Sequence, residues 1–131
     1  STLHTTDCAQ TINRIIDVFP PHQLEQVRVQ LSFVLQAVIS QQLLSRASGA
    51  GRVLAAEMLI VNSAIRNLIR EQKVEQIQIA IQTGGKAGMQ TMNQSLAELY
   101  FKQKITFQEA MSHSLDPEDL RRLMQRHMAA P

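Results

Sequence analysis

Apolar residues near the start of the chain recur at helical spacing. Between Thr6 and Val18 they lie three or four residues apart, which predicts an amphipathic helix after a cap in the run Thr5-Thr6-Asp7. Phe19-Pro20-Pro21 ends this helix, because proline disfavours the helical conformation of the residue before it. Pro21 can then begin a second helix, whose apolar stripe comprises Leu24, Val27, Leu31, Val34, Leu35 and Val38.

From about Ile39 the pattern changes to that of strands. Two apolar runs flank a Gly/Ser-rich loop that ends at Gly51, which predicts a β-hairpin whose second strand is the more deeply buried. Thr2-Leu3, ahead of the first helix, is consistent with the tail of another strand. Because a lone two-stranded hairpin is marginal in water and natural N-termini are usually loose, we expect the chain to begin inside a longer polypeptide that supplies more sheet.

After Val61 the spacing is helical throughout. Asn62-Ser63 predicts the cap of a short helix, and a second helix runs to Gly84-Gly85. Met89, Met92, Leu96, Leu99 and Tyr100 mark a third helix. A fourth begins with a capping box formed by Thr106 and Glu109, and a fifth has Asp116 as its cap. The chain is therefore predicted to be an α-rich α/β protein.

Composition narrows the class of protein. The 131 residues, 44% of them hydrophobic, suit one globular domain. Lys and Arg number 13 against 11 for Asp and Glu and are scattered, so no nucleic-acid partner is predicted. The single cysteine, Cys8, fits a reducing compartment. The apolar stretches are far shorter than the ~20 residues of a bilayer span, so no direct membrane insertion is predicted.

A glycine-rich run at 83–88, TGGKAG, invites comparison with a phosphate-binding loop. The pattern fails, because Ala80 stands where the loop needs glycine and Ala87 where it needs Ser or Thr. A predicted helix, and not a strand, also precedes the run. We therefore expect a turn between two helices here.

No complete catalytic or metal site is predicted. The four histidines lack metal-ligand spacing, and all but His4 are expected at surface or capping positions: His22, His113 and His127. Cys8 adjoins an apolar helix face and is expected in the core, not as a nucleophile. The arginines Arg121, Arg122 and Arg126 are expected on a solvated helix face instead of on DNA.

Three stretches resemble the secretion ATPase superfamily, the hexameric motors of type II and type IV secretion and of pili. STLHTTDCAQTINRIIDVFP, residues 1–20, is similar to the family's histidine box and following helix, and GGKAGMQTMNQSLAELY, residues 84–100, to its C-terminal helical region. AIRNLIRE, residues 64–71, matches the signature of the PilT-type pilus retraction ATPases without a departure. The resemblance covers essentially the whole chain and weakens after about Ser112.

The resemblance implies a fold and a division of the chain. Residues 1–62 would be the distal part of a RecA-like P-loop ATPase core, with the histidine-box end, two helices and the hairpin. Residues 63–131 would be a C-terminal helical subdomain, a bundle that carries the AIRNLIRE motif. The family's phosphate loop, acidic box and Walker B strand, which precede this region, are not among the 131 residues.

The family residues that this chain lacks are those that bind and hydrolyse ATP. The resemblance implies ATP and Mg²⁺ as cofactors of the intact parent, but no tightly bound nucleotide in this chain. Without the phosphate-loop lysine and the acidic residues that hold magnesium and orient water, phosphoryl transfer lacks its charge clamp and its nucleophile. We therefore expect the chain alone not to hydrolyse ATP.

The implied function is that of a C-terminal fragment of a cytoplasmic motor at the inner face of the bacterial inner membrane, which powers pilus retraction and twitching motility. The implied partners are further copies of the parent in a homo-hexamer and the inner-membrane platform protein of the pilus. Two alternatives stay open: a fragment of an assembly or type II secretion ATPase, and a non-catalytic helical adaptor of the pilus machinery.

The resemblance also implies roles for particular residues. His4 would be the second histidine of the histidine box, close to the γ-phosphate and able to report its presence to the next subunit. The motif would couple nucleotide-driven movement to retraction; its residues are Ala64, Ile65, Arg66, Asn67, Leu68, Ile69, Arg70 and Glu71. Arg66 and Arg70, one turn apart, could bind one acidic partner. An ordinary amphipathic helix with solvated ends is the alternative.

Overall fold

Seven α-helices and a two-stranded sheet make up residues 1–129, the part of the chain that the computed structural model describes. In chain order the elements are α1 (Cys8–Asp17), α2 (Leu24–Val34), β1 (Ala37–Ser45), β2 (Arg52–Ile60), α3 (Ser63–Arg70), α4 (Ile77–Gln82), α5 (Met92–Phe101), α6 (Phe107–His113) and α7 (Pro117–Ala129). Short 3₁₀ helices occupy Pro21–Gln23, Val74–Gln76 and Gly85–Ala87. The α-rich fold with one hairpin is confirmed.

The second helix is shorter, and the first strand begins earlier, than the sequence predicted. Helix α2 ends at Val34, Leu35 is extended with ψ 126°, and Val38 lies in β1 instead of on a helical stripe. Within β1 burial alternates, so that Val38 and Ser40 are buried while Ile39 between them is 56% exposed. Val38 and Ile39 are β-branched and therefore suit a pleated strand. Hydrogen bonds to β2 satisfy the backbone of β1, so strand pairing prevails over the helical spacing of the apolar residues.

The segment ahead of α1 differs from the strand tail predicted at Thr2-Leu3. Residues 1–5 have no regular secondary structure, and Asp7 is the residue that caps α1. A strand needs a neighbour to accept and donate its ladder hydrogen bonds, and the sheet of residues 1–129 contains only β1 and β2. The strand predicted at Thr2-Leu3 is therefore absent from residues 1–129, and the further sheet expected from a longer polypeptide stays a prediction.

The chain divides into two compact units, and each takes part of the hairpin. The first unit comprises Ser1–Ser40 and Glu57–Gln90, and the second comprises Gln41–Ala56 and the described residues from Thr91 onward. The boundary expected at 62/63 falls within the first unit. Strand β2 runs directly into α3, and side chains of both elements are buried in the same core.

The core of the first unit is built by α1, α3, α4 and the inner ends of the two strands. Six of its leucine and isoleucine side chains are completely buried: Ile12, Leu59, Ile65, Ile69, Ile77 and Ile81. Each contributes about 1.5–3 kcal/mol by burial, so this core stabilises the elements that hold the predicted motif. Met58 and Gln90 exchange backbone hydrogen bonds of 2.9 and 3.1 Å, which fixes the last residues of the unit against β2.

The second unit packs α5, α6 and α7 around Leu44 of β1 and Leu96 of α5, both fully buried. Helix α5 begins with a reciprocal capping box, in which Thr91 accepts from the Gln94 backbone and the Gln94 side chain accepts from the Thr91 backbone. The Asn93 amide donates to Asp116 O at 3.0 Å, and this bond holds the start of α7 against α5.

Across residues 1–129, no helix combines the length and the apolar character that crossing a bilayer requires.

Candidate functional site

The AIRNLIRE residues form helix α3 and its C-terminal cap. The Asn62 side chain accepts a hydrogen bond from Ile65 N at 3.0 Å, which satisfies one of the free N–H groups of the first turn. Glu71 is the C-cap, and its N–H bonds back to Asn67 O at 3.0 Å. The helix is therefore defined at both ends by local hydrogen bonds and, in between, by its buried face.

The motif has two chemically different faces. Ile65 and Ile69 are completely buried, and Leu68 packs against the same core. The opposite side carries the polar residues: Asn67 and Glu71 are exposed, and Arg66 and Arg70 are half-buried. The burial pattern is that of an amphipathic helix, with an apolar face in the core and a polar face toward solvent.

Arg70 is already held within the first unit. Its guanidinium lies 5.6 Å from the centre of the Phe33 ring, a cation–π distance, and it donates to the side chain of Asn67 on the preceding turn. The Arg66 side chain has no hydrogen bond or ion pair with residues 1–129. Arg66 is thus open to an external acidic group, while Arg70 with the 60% exposed Phe33 presents a mixed cationic and apolar surface.

The chain leaves the motif through a constrained turn. Gln72 has φ +60°, a left-handed conformation that side-chain-bearing residues seldom adopt, and Lys73 N bonds to Leu68 O at 2.9 Å. Lys73 and Glu71 form an exposed ion pair of 3.3 Å. This turn ends the helix directly after Glu71, so the polar face of α3 has a fixed boundary.

His4 lies outside every regular element and is exposed. It precedes α1 by four residues, and the intervening threonines do not cap the helix as predicted. Thr5 instead bonds to the Thr11 hydroxyl at 2.5 Å, and Thr6 to the Gln10 side chain at 2.9 Å. The structure brings His4 to the N-terminal end of α1 and places none of the AIRNLIRE residues in hydrogen-bond contact with it.

Sequence reasoning missed Glu57. This residue lies in β2 and is 1% exposed, and its Oε1 accepts a hydrogen bond of 2.9 Å from Cys8 N, the first amide of α1. Cys8 itself is fully buried, as predicted for a core residue, and its Sγ donates to Val38 O at 3.4 Å. Burial, reinforced by the negative charge of Glu57, raises the pKa of the Cys8 thiol far above its usual range. The thiol therefore stays protonated and unreactive.

In the second unit, one glutamate joins a strand to a helix. The capping box predicted at α6 is only half formed: the Thr106 hydroxyl accepts from Glu109 N at 3.1 Å, but the Glu109 carboxylate turns elsewhere. It accepts from Ser45 N at 3.0 Å and lies 3.1 Å from His113 Nε2. His113 Nδ1 is 2.9 Å from Gln42 Oε1, so this histidine belongs to a half-buried network and not to the free surface.

The glycine-rich run is a turn between helices, as expected. Helix α4 ends before Gly84, a 3₁₀ helix follows, and Gly88 has φ +89°. A Cβ at Gly84 would lie 2.9 Å from Ala80 O, so a close backbone approach explains that glycine. Among residues 1–129, no cluster of three or more His, Cys, Asp or Glu side chains is placed to hold a metal ion.

No protein-family model matches the sequence. The chain is 57% identical over 98 residues to the "Twitching motility protein" of Neisseria gonorrhoeae, a match that covers 75% of this chain and 26% of that protein. It is 50% identical over 118 residues to the "Type IV pilus retractation ATPase PilT" of Pseudomonas aeruginosa, covering 90% of this chain and 34% of that protein. The chain thus spans about a quarter to a third of the length of these relatives.

Solved structures agree with the sequence matches. A crystal structure of the pilus retraction motor PilT with bound ADP matches 92% of this chain and 33% of that chain, with 53% identity and a TM-score of 0.82. The Legionella pneumophila ATPase DotB, at 19% identity and a TM-score of 0.68, shares the fold. By its sequence and its fold, the chain belongs to the PilT family of secretion ATPases and corresponds to the C-terminal part of their fold.

Proposed function

We propose that this chain is the distal part of a cytoplasmic hexameric motor that retracts type IV pili, and so drives twitching motility, at the inner face of the bacterial inner membrane. The observation that carries this proposal is the identity of 57% and 50% to relatives named for twitching motility and pilus retraction. An unbroken AIRNLIRE helix supports it. The proposal concerns the whole motor, of which the chain supplies about one third.

The nucleotide is proposed to bind mainly through residues outside this chain. The matched PilT structure holds ADP, whereas the 131 residues contain neither the phosphate-loop pattern nor the acidic strand end that holds magnesium. His4 is the residue that this chain would contribute. Its exposed imidazole could donate to a γ-phosphate oxygen and lose that partner on hydrolysis, which would shift the segment ahead of α1.

Helix α3 is proposed to pass this movement to a neighbouring subunit or to the pilus platform protein. Arg66 has no partner within residues 1–129, and Arg70 lies over the exposed Phe33 ring. Arginine and aromatic side chains are the types that most often dominate the energy of an interface. The surface formed by Arg66, Arg70 and Phe33 therefore suits a partner that is acidic and partly apolar.

The proposal is tested with a chimera of the full-length Pseudomonas aeruginosa PilT in which this chain replaces the matching segment. The chimera is expected to restore twitching to a strain that lacks its own PilT and to hydrolyse ATP as a hexamer. A chimera that forms hexamers and hydrolyses ATP but never retracts pili would favour an assembly or type II secretion ATPase. A chimera without ATPase activity, beside an active parent, would favour the adaptor.

The coupling role of α3 is tested in the same chimera with Arg66→Ala and Arg70→Ala. Twitching is expected to fall at least about tenfold while ATP hydrolysis continues, because the change removes the two cations proposed to face the partner. The matched control is Arg122→Ala with Arg126→Ala, two exposed arginines that are also four residues apart. Unchanged retraction in the α3 variant would show that the coupling role is wrong.

A further inference from the structure

Glu57 is the only charged residue in the buried part of residues 1–129. A carboxylate removed from water is costly unless hydrogen bonds replace its hydration, so its position needs an explanation. Glu57 lies on β2, and its carboxylate makes a hydrogen bond to α1: Glu57 Oε1 accepts from Cys8 N at 2.9 Å. Cys8 is the first residue of α1, where helix N–H groups lack partners within the helix and the helix dipole favours a negative charge.

The start of α1 is held by two strands together. Besides the bond from Cys8 N to the Glu57 carboxylate, Cys8 Sγ donates to Val38 O at 3.4 Å and to Glu57 O at 3.8 Å. Asp7 serves the same turn by accepting from Gln10 N at 2.7 Å. The first turn of α1 is therefore fixed to the sheet and cannot shift without β2 or the loss of these bonds.

Strand β2 leads from this point directly to the motif helix. Leu59, two residues after Glu57 on the same strand, is fully buried. The strand ends at Ile60, and Asn62, two residues further on, caps α3. On the other side of the bond, His4 precedes Cys8 by four residues. Buried hydrogen bonds between Cys8 and Glu57, of which the bond from Cys8 N to the carboxylate is the shorter, thus join the segment that carries His4 to the strand that leads to α3.

We propose that Glu57 is a positioning residue: its carboxylate locks the N-terminus of α1 to β2, so that a displacement of the His4 segment reaches α3 as movement of one body. The inference rests on the proposed function, because it assigns Glu57 a place between the nucleotide and the AIRNLIRE helix. Chains of packed side chains, hydrogen bonds and rigid secondary elements are the means by which distant sites are coupled.

Removal of this carboxylate has two opposing effects on stability. An apolar side chain of similar volume avoids the cost of burying a charge, but it leaves the buried N–H of Cys8 without its acceptor. Glu57→Leu is therefore expected to destabilise the fold moderately while it removes the carboxylate bond to Cys8 N. Glu57→Gln keeps an oxygen that can accept from Cys8 N, so it should retain most of the link.

The test uses the full-length chimera and measures ATP hydrolysis and twitching. Glu57→Leu is expected to lower kcat and twitching at least about tenfold with KM for ATP changed less than about threefold, and Glu57→Gln to recover most of the loss. Leu59→Val, on the same strand, is the control for a core change that leaves the bond intact. The proposal would be overturned if Glu57→Leu were as active as the parent chimera. It would also be overturned if Leu59→Val lost as much kcat as Glu57→Leu.

Loss of the positioning role can be distinguished from misfolding of the variant and from failure of the proposed function. If the unsubstituted chimera does not retract pili, the proposed function fails before any Glu57 variant is compared. If Glu57→Leu does not fold, Glu57→Asp decides, because it keeps the charge and shortens its reach. Faster amide exchange at Cys8 with a lowered kcat supports the positioning role, and faster exchange at an unchanged kcat overturns it.

Discussion

Cys8 and Glu57 make the start of α1 sensitive to alkaline pH. Burial raises the pKa of the Cys8 thiol in the folded chain, whereas the unfolded thiol ionises near its ordinary value of about 8.5. Above that value the unfolded state holds fewer protons than the folded state, so stability is lost as pH rises. In urea unfolding at pH 8 to 10, the wild type should lose stability faster than Cys8→Ser, and the difference in slope should approach about 1.4 kcal/mol per pH unit at the upper end of this range. Parallel pH profiles would contradict an ionisation confined to the unfolded state.

The backbone conformation of Gln72 leads to a second prediction about stability. Its left-handed conformation, φ +60°, costs a residue with a Cβ about 1 kcal/mol that glycine avoids. Gln72→Gly should therefore raise the free energy of unfolding by up to about 1 kcal/mol. The matched change Gln30→Gly, at an exposed helical position in α2, should lower it by about the same amount. A loss of stability in Gln72→Gly would mean that this turn does not hold the conformation described.

At the scale of elements, α3 depends on its N-terminal cap. Asn62→Ala removes the acceptor for Ile65 N and is expected to cost about 1 kcal/mol in the free energy of unfolding. Ser63→Ala, at the adjacent exposed position, is the control and should be nearly neutral. If twitching of the chimera falls with Asn62→Ala in proportion to lost helix content, the polar face of α3 needs a formed helix. A cap variant without helix at α3 and with full retraction would contradict the role of this element.

The sequence predicted most elements because their signals are local. Asn62, Asp116 and the glycine-rich turn each form hydrogen bonds or a turn with residues close by in the sequence, and each begins or ends a helix where expected. Val38 was misassigned to a helix because its pairing partner lies in β2, beyond the reach of spacing rules.

The candidate site was less predictable than the elements. Nothing in the sequence around Glu57 indicates that it bonds to Cys8, because 49 residues separate them and only the fold brings them together. Glu109 has the spacing of a capping box yet binds Ser45 N, since a strand amide offers its carboxylate another donor. The AIRNLIRE faces were predictable because helical periodicity alone separates Ile65 and Ile69 from Arg66.

For the whole molecule, the separation of the motif from the phosphate-binding residues predicts inactivity of the isolated chain. Purified on its own, the chain should hydrolyse ATP no faster than a buffer blank, because the charge clamp and water-positioning residues are not among its 131 residues. The active chimera is the control for assay conditions. Hydrolysis by the isolated chain that persists after repurification and is lost in His4→Ala would contradict this view.

The coding sequence upstream of Ser1 decides whether this chain is the distal part of a retraction motor. If it is, we expect a continuous reading frame with Gly-x-x-x-x-Gly-Lys-Ser/Thr and, shortly before His4, an acidic strand end. A start codon immediately ahead of Ser1 would contradict it, because such a chain never had a phosphate site, and the helical adaptor would then become the better description.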